Sequence, residues 1–176
     1  RLHTSHRLTS GPTLSADGKY AVVDTSERSQ NLNMTLLAFN VETGEMIGVQ
    51  QDADASVQSS GFSPVDGDQR LLATTNVSGF VRPLLWDLAS GQRIDLPFSG
   101  MDGDIYANDW SPDGKRLLLT QYMKAQYQLH IYDIDKSTLT PLQHPGGSFN
   151  GGYFYDDTTI FIHHQDAQHP TQLVAL

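Results

Sequence analysis

The chain of 176 residues has the length of one ordinary domain, a net charge of −9 and no cysteine. The acidic balance argues against nucleic acid and anionic membranes as partners, because both would repel it. The lack of cysteine excludes disulfides, a cysteine nucleophile and cysteine-ligated zinc or iron–sulfur sites. It also fits a reducing compartment, so we expect a cytoplasmic location.

A turn motif recurs along the chain. It occupies Leu14 to Gly18, Phe62 to Gly67 and Trp110 to Gly114, with a degenerate fourth copy at Phe154 to Asp157. The first three copies start 48 residues apart, and the last follows after 44. In Ser-Pro-Asp-Gly the proline presets φ, the aspartate bonds to nearby backbone and the glycine adopts the left-handed conformation. A turn repeated at this period predicts repeated structural units.

A second motif keeps the same register. Leu36 to Gly44, Leu84 to Gly91 and Leu129 to Lys136 each contain an aromatic residue followed by Asn or Asp. In each repeat the turn therefore joins a first strand to a second. The second motif forms the third strand, and a short fourth strand follows it. Four strands in about 45 residues are typical of a β-propeller blade.

Taken in chain order, the pattern predicts the tail of an earlier blade over 1–6 and then four blades. Their predicted bounds are 8–50, 56–98, 104–144 and 148–176, the last ending after its third strand. We find no stretch of ten or more residues with helical periodicity. The predicted fold is all-β, with about three and a half four-stranded antiparallel blades. The chain is then a piece of a larger propeller, or it closes by pairing with another copy.

The sequence predicts no catalytic residue, no metal site and no cofactor. Gly146 to Asn150 approaches the Gly-x-Ser-x-Gly elbow of serine hydrolases, but it ends on asparagine and leads into a strand. We interpret it as a connection between blades. Met101 to Asp109 is rich in oxygen ligands, but Tyr106 occupies a position where a calcium loop needs a ligand. We interpret that segment as a solvated loop that leads into an inner strand, with Asn108 and Asp109 at the end of that strand.

Histidines and aromatic residues suggest two further sites. His163, His164 and His169 lie close in sequence, but adjacent strand residues point to opposite faces, so His163 and His164 are not expected to share a metal. The repeat places Phe39, Trp86 and Tyr132 at equivalent positions. Equivalent positions in a repeat fold favour packing between blades over ligand stacking.

Several segments resemble a known family. Trp110 to Leu119 is similar to the blade signature of TolB-like and prolyl oligopeptidase propellers. The succession of 82–93, 108–114, 128–133, 142–147 and 166–170 resembles the propeller of bacterial acylaminoacyl-peptidase-like members of the prolyl oligopeptidase family.

This resemblance implies a seven- or eight-bladed propeller that caps an α/β-hydrolase domain and admits only short peptides. The hydrolase domain would supply a Ser-Asp-His triad, and no position of this chain matches that triad. The expected partners are a peptide substrate handled through the hydrolase domain, and the remaining blades or a second copy.

Blade geometry predicts that the first strand of each blade lies near a central channel. In the third blade we therefore predict Tyr106, Asn108 and Asp109 as channel-lining residues. The second interpretation is a protein-interaction scaffold of the TolB or WD-repeat kind, which Trp86-Asp87 and Ser90-Gly91 would suit. A polysaccharide-active propeller enzyme is a third alternative, with no motif behind it.

Overall fold

The computed structural model describes residues 2–176, apart from the side chain of Asn150. The described residues form fifteen strands and no helix, so they contain no helix able to cross a membrane. Up to Gly100 the strands are β1 Thr9–Leu14, β2 Tyr20–Thr25, β3 Thr35–Asn40, β4 Met46–Gln50, β5 Val57–Phe62, β6 Arg70–Thr75, β7 Arg82–Asp87 and β8 Arg93–Asp95. From Met101 they are β9 Asp104–Trp110, β10 Arg116–Met123, β11 Gln126–Asp133, β12 Thr138–Pro141, β13 Ser148–Phe154, β14 Ile160–Gln165 and β15 Gln172–Ala175.

Each sheet is a meander in which consecutive strands are neighbours. The orders are β1-β2-β3-β4, β5-β6-β7-β8 and β9-β10-β11-β12, followed by the three-stranded β13-β14-β15. All neighbouring strands pair antiparallel. This confirms the predicted all-β fold, a partial β-propeller built of antiparallel blades.

The chain divides into two compact units, one ending at Gly100 and one covering Met101–Leu176. Each unit holds two sheets, and in each a core forms between them. In the first unit, Val22 and Ala38 of one sheet pack with Leu71 and Trp86 of the next. In the second, Leu118 packs with residues of the β13–β15 sheet such as Ile162. The second strand of a blade is apolar on both faces because it is covered on both sides.

The repeated turn carries the hydrogen bonds that its sequence predicts. Ser111 is buried, and its hydroxyl accepts a bond from the Arg116 backbone N–H at 2.9 Å and donates to the carboxylate of Asp113. In the first blade Ser15 does the same, accepting from the Tyr20 N–H at 3.0 Å and donating to Asp17 at 2.8 Å. The serine therefore closes the hairpin between the first two strands of a blade.

Candidate functional site

The three residues predicted to line a channel lie together on β9, an edge strand of its sheet. Tyr106 is 42% exposed, whereas Asn108 and Asp109 are half-buried. Asn108 stands at the bulge in the β9–β10 pairing, and its Oδ1 accepts a bond from the Thr120 hydroxyl at 2.9 Å. The position of these residues relative to a channel axis stays a prediction.

Asp109 differs from its two neighbours because it joins two sheets. Its Oδ2 accepts a hydrogen bond of 2.8 Å from the backbone N–H of Phe154, in the β13–β15 sheet. Burial raises the pKa of the Asp109 carboxyl, and the bond from Phe154 offsets part of that rise. Asp109 therefore holds the sheets of the second unit together, next to the more open Tyr106 and Asn108.

The third blade has a longer central hairpin than its repeats. Strands β10 and β11 have 8 residues each, whereas β6 and β7 have 6. The extension pairs Tyr122 with Tyr127 and Met123 with Gln126 around a two-residue turn. Lys124 and Ala125 in that turn have φ values of 50° and 62°. Such a turn favours Asn-Gly, so these two residues hold strained backbone.

The extended hairpin and β9 build an aromatic cleft against β13. The cleft encloses a cavity of ≈ 370 Å³ lined by Tyr106, Asn108, Thr120, Tyr122, Tyr127, Phe149 and Gly151. Four of these seven residues are aromatic, two are polar and uncharged, and one is glycine. A cavity of this volume falls within the range of small-ligand sites. We call this set the aromatic cleft.

Strand register explains why these side chains share a face. Tyr106 lies opposite Thr120, and Asp104 lies opposite Tyr122, which itself lies opposite Tyr127. Residues directly opposite one another in antiparallel strands point to the same side of the sheet. On that same face Leu118 is buried against the β13–β15 sheet. The cleft is therefore the part of this face that the next sheet leaves open.

Ring contacts and a carboxylate define the interior of the cleft. The Tyr122 and Tyr127 rings lie 4.8 Å apart at a tilt of 42°, and Phe149 meets Tyr127 edge-on at 6.2 Å. The Tyr106 hydroxyl donates a long bond of 3.4 Å to Asp104 Oδ2. Burial, followed by the charge of Asp104, raises the pKa of the Tyr106 phenol. The cleft is thus an aromatic site with negative charge at one edge.

Two of the seven cleft residues, Tyr106 and Asn108, were singled out from the sequence, and the others were missed. The available signal was the departure from the repeat, since Tyr122 and Tyr127 belong to the hairpin that is longer than its counterparts. Phe149 gave no signal, because its approach to the cleft depends on how β13 packs on the third blade.

The other candidate segments have structural roles. Ser148 begins β13, as expected for a connection that leads into a strand. The Gly146 carbonyl accepts a bond of 2.9 Å from the buried His164 ring, while neighbouring His163 is exposed on the opposite face. Nowhere in the described part of the chain do three His, Asp or Glu side chains converge on a metal-sized site.

The three aromatic residues at equivalent repeat positions are core residues. Phe39, Trp86 and Tyr132 are 4%, 2% and 3% exposed. Trp86 packs on the neighbouring sheet of the first unit, where its ring fills the space above Gly48. The predicted packing between sheets is confirmed for Trp86, whereas Phe39 packs mainly within its own sheet and Tyr132 is buried.

Comparisons with known proteins agree on the fold. The chain matches no established protein-family profile and no curated protein sequence. Solved structures match it along almost its whole length. A TolB candidate from Agrobacterium tumefaciens has a TM-score of 0.74 at 20% identity over 99% of this chain. A puromycin-hydrolyzing peptidase from Mycobacterium tuberculosis has 0.73 at 14% over 99%, and a prolyl endopeptidase has 0.68 at 19% over 96%.

These likenesses establish a β-propeller fold of the kind found in TolB and prolyl oligopeptidases. The chain spans 60% of the TolB candidate, 28% of the mycobacterial peptidase and 25% of the prolyl endopeptidase. At these identities the shared property is the fold.

Proposed function

We propose that this chain is a non-catalytic propeller segment of a cytoplasmic serine peptidase of the prolyl oligopeptidase family. In this proposal the propeller restricts peptide access to a separate α/β-hydrolase domain. The observation that carries the proposal is the likeness, over 96–99% of the chain, to structures of a prolyl endopeptidase and of peptidases that hydrolyse puromycin. The chain itself would contribute the entry path, and the catalytic triad would lie in the hydrolase domain.

The aromatic cleft supports a peptide-handling role. It offers uncharged polar groups on Asn108 and Thr120 beside exposed ring surface on Tyr106. Peptide-binding surfaces commonly combine aromatic contact area with a few polar groups that fix orientation. This combination suits brief contact with passing peptides better than it suits catalysis.

The partner proposal rests on the outer face of the β13–β15 sheet. Tyr153, Tyr155 and Leu173 are 42%, 67% and 53% exposed there, and both tyrosines contact the ring of Phe161. Phe161 occupies the same repeat position after the turn as Leu118 does in the preceding blade. The next sheet buries Leu118. We therefore propose that a further blade, or a second copy of the chain, covers this aromatic face.

The access proposal is tested on the whole protein that contains this chain. A short fluorogenic peptide is compared with the same sequence displayed in an exposed loop of a folded protein. The proposal predicts cleavage of the free peptide and resistance of the displayed one. Equal cleavage of both would refute gating, and cleavage of neither would refute the peptidase assignment.

A second candidate function is a TolB-like interaction scaffold. It is favoured by the TM-score of 0.74 with the TolB candidate, of which this chain spans the larger share. A parent with further blades and no hydrolase domain would support the scaffold. A parent that continues into Gly-x-Ser-x-Gly with later Asp and His would support the peptidase.

A further inference from the structure

The aromatic cleft combines ring surfaces with a nearby negative charge, an arrangement that favours a positively charged ligand. Tyr106, Tyr122, Tyr127 and Phe149 supply four rings around one cavity of ≈ 370 Å³. The faces of aromatic rings carry negative electrostatic potential, which attracts cations within about 6 Å. Rings that line a cavity from several sides are the arrangement by which proteins hold substituted ammonium groups.

One acidic side chain, that of Asp104, contacts a tyrosine of the cleft. No Lys, Arg or His lines it, and the turn residue Lys124 is exposed outside the lining. Asp104 stands opposite Tyr122 in the sheet, and its carboxylate accepts the Tyr106 hydroxyl. A carboxylate beside the rings favours a bound cation over a bound anion.

We propose that the aromatic cleft binds an organic cation, a protonated or quaternary amine, against the rings of Tyr122 and Tyr127 and near the carboxylate of Asp104. This assignment goes beyond the proposed function and holds for a peptidase or a scaffold. A compact ammonium group fits the cavity and gains ring contacts that bulk water does not provide. A neutral aromatic ligand would gain the same contacts without the electrostatic attraction.

Departure from the repeat supports a ligand role for this region. The extension that adds Tyr122 and Tyr127 requires a turn in which Lys124 and Ala125 both have positive φ. Neither residue is suited to that conformation, because both carry a Cβ that crowds the backbone at positive φ. The space beside Gly151, which also lines the cleft, is open, since a Cβ there would meet no atom within 4 Å. Strain beside an open aromatic cavity is typical of binding sites.

The test compares choline with 3,3-dimethylbutan-1-ol, a neutral molecule of the same shape. Both are titrated into the full chain while tyrosine ring resonances are followed by NMR. We expect saturable shifts with choline and at least about 5-fold weaker binding of the neutral isostere. Equal binding of the two would overturn cation recognition, and so would the absence of saturation by choline.

Variants locate the site. Asp104→Asn and Tyr122→Leu should each weaken choline binding about 5-fold or more, and added salt should weaken it in the wild type. Asp102→Asn and Tyr155→Leu alter an exposed acid and an exposed tyrosine outside the cleft lining, so they should leave binding unchanged. Unchanged binding in Asp104→Asn, with the amide spectrum preserved, would overturn the assignment even if Tyr122→Leu fails to fold.

A second pair of ligands identifies the source of the cation. Phenylalaninamide carries a free α-ammonium group, and its N-acetyl derivative does not. Preference for phenylalaninamide over the acetylated form would support the proposal and point to peptide amino termini. If the acetylated form binds as well as the amine and choline matches its isostere, the cleft recognises apolar surface and the proposal fails. None of these outcomes bears on peptidase activity, which is measured separately.

Discussion

The carboxylate of Asp24 accepts two hydrogen bonds from Ser59 in the neighbouring sheet, one from the backbone N–H at 3.0 Å and one from the hydroxyl at 2.6 Å. In the second unit, Asp109 accepts from the Phe154 N–H of its neighbouring sheet. Each unit thus joins its two sheets through a buried or half-buried aspartate. The apolar core provides the buried contact area between the two sheets of each unit. The two carboxylates fix the register in which those sheets meet.

Stability should fall as pH rises just above the ordinary pKa of aspartate. Burial is the largest cause that raises the pKa of Asp24 above 3.8, so the folded state binds more protons than the unfolded state in the window from 3.8 to the raised value. The Asp24 contribution to stability is therefore present below 3.8 and is lost through that window. We expect urea unfolding at a series of pH values to show a smaller loss of unfolding free energy across this window in Asp24→Asn than in wild type.

Asp17 provides the control of opposite sign. The Ser15 hydroxyl is the first cause that lowers the pKa of Asp17, from 3.8 to about 2. Its contribution is present above 3.8 and is lost as pH falls toward 2. In Asp17→Asn the loss of unfolding free energy between pH 3.8 and about 2 should be smaller than in wild type. The loss above pH 3.8 that we assign to Asp24 should be unchanged. The same pH profile in both variants would contradict the assignment.

Gly48→Ala should destabilise the first unit. A Cβ at residue 48 would lie 2.7 Å from Cζ2 of Trp86, which is buried. Overpacking of this kind costs about 1–3 kcal/mol in the free energy of unfolding. Chemical denaturation measures it, with Gly61→Ala as the control because a Cβ there meets no atom within 4 Å.

The double variant Gly48→Ala/Trp86→Phe distinguishes a clash from a general effect of the new methyl group. Phenylalanine lacks the indole atoms that the new Cβ would meet. The loss caused by Gly48→Ala should therefore be smaller in the Trp86→Phe background than in wild type. Purely additive losses would contradict a direct contact between these two residues.

Ala125→Gly should stabilise the extended hairpin. Glycine relieves roughly 1–2 kcal/mol of backbone strain at φ 62°. It also raises the entropy of the unfolded chain, which costs about 0.4–1 kcal/mol of stability, so the expected net gain is about 1 kcal/mol. Urea unfolding of the full chain measures the change. Ala89→Gly, in an exposed turn without positive φ, should lower stability instead. A loss in both variants would show that Ala125 is not strained.

Turn chemistry made the blades predictable from the sequence. The buried serine and the nearby aspartate of the first three turns are local hydrogen-bonding groups, so their spacing marked those hairpins. The cleft was only partly predictable, because it depends on long-range packing. Phe149 and Asn108 both stand at register shifts, in β13 and β9, and residue spacing does not encode where bulges occur. Tyr106 and Asn108 were found because they lie on the first strand of a blade.

Labelling of the parent protein with a fluorophosphonate, together with its intact mass, tests the central claim most directly. The reagent reacts with activated serines, and this chain carries no serine-hydrolase motif. We predict a parent of roughly 600–700 residues, the size of a propeller plus a hydrolase domain. The label should lie on a serine outside this chain. A parent that consists of further blades and takes no label would contradict the peptidase assignment and support the interaction scaffold.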